Sequence, residues 1–190
     1  MGDPRTPVIW QKHSELPIYV AGEEDFLKQY KLVATDVQGS VGWRFLSDLP
    51  VKMSRDHAPY PNSPIGLFDD PSRENAWGPG GLVTVSADTE AEGTGVVWMT
   101  MPYAEDGNQR IVRGVLVAFD AADVSKGYIW SSEDEASIDR LGLFAKFSPP
   151  TVANGKVYVA TCQQESVQPD GKRVKVVGGE RAALAIYGLK

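Results

Sequence analysis

Cysteine is nearly missing from this chain: Cys162 is the only one among 190 residues. No internal disulfide can form, and no cysteine cluster can hold a metal. Cys162 closes the apolar run Val157–Cys162, where a small buried hydrophobe is expected rather than a reactive thiol. Positive charge is short as well. There are 19 Lys and Arg against 25 Asp and Glu, a net charge of −6. Without a basic stripe to neutralise phosphates, neither nucleic acid nor an anionic membrane is the expected partner. No apolar run approaches the roughly 20 residues of a membrane-spanning helix. Met1–Arg5 lack the hydrophobic segment of a signal peptide. In a complete protein that would mean the cytoplasm; in a fragment it says little.

What is present points to strands and turns. The chain holds 19 Gly and 13 Pro, with few long helical patterns. An apolar share of 42% and a charged share of 23% are ordinary for a soluble domain, and the length suffices for a sizeable core. The expected class is all-β.

The clearest segment is Gly114–Trp130. It reads as a buried strand, Val115–Phe119, a polar turn, Asp120–Gly127, and a second strand, Tyr128–Ser132. Upstream, Gly81–Ala87 and Val96–Met101 complete a unit of four strands, A to D. A later unit repeats the pattern. Thr151–Ala153, the type I′ turn signal Asn154-Gly155 and Lys156–Cys162 form a hairpin, and Ala182–Leu189 adds a third strand. An earlier unit holds Pro7–Trp10, Ile18–Ala21, Phe26–Leu32 and Val41–Phe45, with Trp43 near the position of Trp130. The last unit stops after strand C. Trp10, Trp98 and Trp130 lie inside strand patterns and are expected to pack between units.

The run Ala118-Phe-Asp-Ala with Gly127-Tyr-Ile-Trp130 resembles the outer half of a blade in PQQ-like (quinoprotein alcohol dehydrogenase-like) β-propellers. Phe144–Thr161 is similar to a final blade, Gly80–Asp88 with Gly93–Trp98 to the one before, and Ile18–Tyr30 to the one before that. The resemblance implies a partial propeller of about three antiparallel four-stranded blades, the last lacking its outer strand. Blade one spans about residues 6–46, blade two about 80–132 and blade three about 148–190, in a single C-terminal portion. It also implies export, to the periplasm or the extracellular space. A ring closes when one terminus completes the blade begun by the other. Missing N-terminal blades, or self-association through exposed strand edges, are therefore the expected partners.

In the family's dehydrogenases PQQ lies on the propeller axis with a calcium ion. The vicinal cysteine pair of some members has no counterpart here, and no Glu/Asn/Asp calcium set stands at matched positions. PQQ and calcium thus enter by resemblance only, and the chain itself supports no cofactor and no metal site. The expected function is a noncatalytic propeller scaffold or binding module. Its alternative is the C-terminal part of a PQQ-dependent dehydrogenase whose catalytic and calcium-binding residues lie upstream. A self-contained β-sandwich binding carbohydrate is a third reading.

Strand order sends the A–B and C–D connections to one end of each unit and the B–C and D–A connections to the other. The long insertions, 46–79, 102–113, 133–150 and 164–181, all belong to the second set. Stretches of that length are usually functional or disordered, so a ligand is expected at that end. Its candidates are Asp56, His57, Tyr60, Asp69, Asp70 and Trp77, then Asp139, Arg140 and Lys146. His57 beside Asp56 has the chemistry of a base or a metal ligand, but reads first as a solvated loop histidine. Asp69-Asp70 before Pro71 reads first as an Asx turn, ahead of a calcium site. Arg140 and Lys146 flank Leu141–Ala145, where cations could face a quinone carboxylate or a peptide terminus, or simply pair with Asp139. No residue declares itself catalytic.

Overall fold

The computed structural model describes residues 7–11, 15–21, 27–37, 40–45, 52–53, 82–89, 91–103, 107, 111–163, 165–167, 173–175 and 179–188. They are mostly antiparallel β-sheet. In the first sheet β1 (Val8–Ile9), β2 (Glu15–Ala21), β3 (Leu27–Val37) and β4 (Ser40–Phe45) follow in sequence order, and β5 (Lys52–Met53) also joins β3. β2 takes one edge of β3, while β4 and β5 lie end to end along the other. The second sheet is a simple meander of β6 (Leu82–Ser86), β7 (Val96–Pro102), β8 (Gly114–Asp120) and β9 (Tyr128–Ser131). In the third, β10 (Leu143–Phe144) and β11 (Thr151–Ala153) lie end to end along one edge of β12 (Lys156–Cys162). β15 (Ala183–Gly188) takes the other edge, and β13 (Glu165–Val167) with β14 (Arg173–Lys175) forms a separate hairpin between them. Among the described residues none of the sheets closes on itself.

The sheets stack face to face in chain order. Tyr19, Ala21 and Leu27 of the first meet Val97, Met99, Val117 and Phe119 of the second in one core. Leu116, on the opposite face of β8, meets Leu141, Val157 and Val159 of the third. Because successive strand residues point to opposite faces, a strand covered on both faces must be apolar throughout. That is why Val115–Phe119 reads as a continuous hydrophobic run, every residue of it buried.

The same cross-strand register recurs three times. Tyr19 stands opposite Gln29, Trp98 opposite Ala118 and Tyr158 opposite Ile186. Two pairs further along, Ala21 faces Leu27, Thr100 faces Leu116 and Ala160 faces Leu184. One pair back, Ile18 faces Tyr30, Val97 faces Phe119 and Val157 faces Tyr187. An aromatic, a leucine and a second aromatic thus hold matching places in each sheet, across segments with little overall likeness.

Turns fix these registers. Asn154 and Gly155 both take positive φ, 52° and 68°, closing β11 on β12 as the Asn-Gly signal requires. Between β8 and β9, Asp123 caps a 3₁₀ turn, Val124–Lys126, by accepting from the Ser125 amide. Tyr19 holds this turn from the first sheet by donating to the Ala121 carbonyl at 2.5 Å. Gln29 donates to the same carbonyl at 3.0 Å and accepts from the Val124 amide.

The antiparallel all-β expectation holds, and the strands lie within a few residues of where the sequence places them. Among the described residues no strand pairs with the outer edge of β15. Three details differ. The position equivalent to Trp130, opposite Ala118, is opposite Gln29 in the first sheet, and Lys52 occupies it; Trp43 pairs with Ala34 further along β3. The insertions 46–79, 133–150 and 164–181 contain β5, β10 and the β13–β14 hairpin. Cys162 ends β12 opposite Leu143 and is half-buried rather than buried, because it sits at the strand's last residue. Among the described residues no helix is long and apolar enough to cross a membrane.

Candidate functional site

The meander of the second sheet sends residues 87–95 and 121–127 to one end and 103–113 and 132–142 to the other. Glu180, ahead of β15, joins this second end, where its carboxylate lies beside Gly142. Backbone bonds lock the end together. The Tyr103 amide donates to the Arg113 carbonyl (2.8 Å), the Gly114 amide to Gly142 (2.9 Å) and the Phe144 amide to Val112 (2.8 Å). β10 therefore ties the third sheet to the start of β8. Gly114 suits this close approach, since a Cβ would lie 3.1 Å from Leu141 Cδ2 and 3.2 Å from Phe144 Cα and would press those neighbours outward.

The chemistry at this end centres on Arg113. Its Nη2 donates to Glu133 Oε1 at 2.5 Å, and its guanidinium carbon lies 4.4 Å from the centre of the Tyr103 ring. The Glu133 side chain is only 7% exposed and that of Arg113 34%. Arg113 Nε is buried with no hydrogen-bond partner among the described residues. The carboxylate is delivered by a turn built from hydroxyls and carboxylates. Ser131 Oγ accepts from the Glu133 amide, Asp134 Oδ2 from the Ser131 amide, and Ser132 Oγ from the Leu116 amide. A buried carboxylate must be paired, and a planar guanidinium clamped by an aromatic face and a carboxylate is held in one orientation. The result is a fixed cation at the loop-bearing end of the second sheet, over Tyr103, which packs against the core between the first and second sheets.

An aromatic column fills the interface between the second and third sheets. Trp98 and Trp130 meet edge to face at 6.2 Å, and Trp130 and Tyr187 at 5.5 Å. These tryptophans pack between sheets, while Trp10 is buried between the first and second and donates to the Thr89 carbonyl. Tyr187 donates to the Asp139 carbonyl at 2.9 Å. Burial, and then the Asp139 and Glu133 carboxylates, push its phenol from 10.0 up to about 12. Burial and Asp120 likewise raise the Tyr19 phenol. Both rings hold their protons in the folded chain at a pH where an unfolded chain loses them. Folded stability is therefore undiminished below about pH 10 and falls as pH rises toward about 12. Urea midpoints measured across that window should drop steeply, and Tyr187→Phe should flatten the drop. An unchanged slope would count against the burial of this phenol.

Of the sequence candidates, Asp56, His57 and Trp77, with Tyr60, Asp69 and Asp70, lie outside the described residues. Asp139 and Arg140 stand at the loop-bearing end. Asp139 closes the helical turn Ala136–Asp139, and Arg140 follows it, exposed. Lys146 is separated from them by β10 and lies in the turn leading to Ser148 and Pro150. Those two carbonyls accept from Thr100 and Thr84 on the second sheet. The buried run Leu141–Phe144 thus places Arg140 and Lys146 in different surroundings. The sequence reading passed over Arg113, Glu133 and Tyr103. The available signal was an arginine directly ahead of a fully apolar strand, a charge that needs a partner. Among the described residues no group of three or more His, Cys, Asp or Glu could hold a metal ion. Comparison of the chain with protein-family models, curated proteins and solved structures gave no match.

Proposed function

We propose that the chain is part of a propeller of the PQQ-like class and serves as a noncatalytic scaffold, presenting one elaborated end for binding. The observation that carries this reading is the asymmetry between the two ends of the stack. At one end the second sheet has compact turns: Tyr19 and Gln29 hold that between β8 and β9, and Trp10 holds Thr89. At the other stand the Arg113–Glu133 pair and, beside Gly142, the Glu180 carboxylate. Scaffolds place their contacts on the connections between strands, and a clamped guanidinium suits a carboxylate or another planar anion. The test is an oxidation assay of the protein supplied with PQQ and calcium, using alcohols and sugars with a dye as electron acceptor. No dye reduction above the protein-free rate is expected. Sustained turnover would overturn the scaffold reading in favour of a dehydrogenase.

A further inference from the structure

The face of the first sheet bearing Tyr19 and Leu27 is covered by the second sheet, and the equivalent face of the second, bearing Leu116, by the third. On the third sheet the corresponding face is open. Leu184, the counterpart of Leu27 and Leu116, is 58% exposed, and Ile186 beside it is 55% exposed. At the far end of the stack, the first sheet turns Ile18 and Val20 away from the second, because they alternate with the buried Tyr19 and Ala21. Ile18 and Val20 hold the register positions of Val97 and Met99, the residues with which the second sheet receives the first. The chain therefore carries, at its two ends, both halves of an interface that it already makes twice internally.

We propose that the open face of the third sheet binds the first sheet of a second copy of this chain, head to tail, continuing the stack. Such a contact is heterologous: each copy keeps one face of each kind, so assembly closes into a ring or grows. The pairing is specified by the repeated register, with Leu184 and Ile186 seated against Ile18 and Val20 as Leu116 is seated against Val157 and Val159. Leu184 and Ile186 are exposed side by side and Ile18 and Val20 are half-buried, and exposed apolar patches of this kind mark interaction surfaces.

The test is light scattering on the purified chain from micromolar to millimolar concentration. The mass should rise above that of one chain, and Leu184→Asp should weaken the association about tenfold or more, as burying a charge in such a contact demands. Ile18→Asp should do the same from the other side, with Ile18→Thr as a milder variant if the first loses its cooperative melting transition. Mixing the Leu184→Asp and Ile18→Asp chains should restore a two-chain species and nothing larger, since each supplies the face that the other lacks. A chain that stays single at every concentration overturns the proposal. So does growth that Leu184→Asp leaves unchanged, which would indicate pairing through the β15 edge, and so does a mixture that fails to combine.

Discussion

Leu116→Ala should lower the free energy of unfolding by about 2–5 kcal/mol, the range for a buried leucine whose cavity cannot collapse. Leu116 is 0% exposed and meets Leu141, Val157 and Val159, so its loss opens a void between two sheets rather than at a surface. The repeated register supplies its own controls. Leu27 holds the matching place between the first and second sheets at 1% exposure, and Leu27→Ala should cost a similar amount. Leu184 holds it on the open face at 58% exposure, and in dilute solution Leu184→Ala should stay within about 0.5 kcal/mol. Urea unfolding of the three variants at low concentration reads this directly. Equal losses at all three positions would mean that the third sheet's outer face is covered within the single chain.

The second large effect concerns Glu133. Removing one member of a buried ion pair leaves the other charge without its partner, typically at about 3–5 kcal/mol. Arg113 is 34% exposed, so water takes back part of that penalty, and Glu133→Ala should cost about 1–3 kcal/mol. Arg113 Nε lacks a partner among the described residues, so the guanidinium cannot recover the bond from a neighbour there. Replacing both charges, as Arg113→Met with Glu133→Leu, should restore most of the stability, because an apolar pair of similar volume leaves no charge without its partner. The double-mutant cycle measures the coupling. Additive losses would show that the two side chains do not act as a pair.

Strands that bury a regular pattern were legible in the sequence. Val115–Phe119 is covered on both faces, and Lys156–Cys162 alternates behind an Asn-Gly turn, so pattern and turn chemistry point the same way. Short edge pieces were not. Leu143–Phe144 is two residues long, and its pairing with β12 and with Arg113 follows from where the chain returns, not from its own composition. The outermost strands misled for a related reason. A tryptophan is easy to match by eye, but register is set by pairing, which gives the Trp130 position of the first sheet to Lys52. The Arg113–Glu133 pair spans 20 residues and two turns, beyond any local signal. Arg140 was legible as a charge at the loop-bearing end, yet its separation from Lys146 depends on β10 being buried between them.

The common register of the three sheets is the central claim, because the stacking, the open face and the end that carries the connections all follow from it. Cross-strand nuclear Overhauser contacts measure it most directly. Backbone protons of Tyr19 and Gln29, of Trp98 and Ala118, and of Tyr158 and Ile186 should each show mutual contacts as directly opposed pairs. A slip of one residue in any sheet would turn its apolar set to the other face, and finding one would contradict the account.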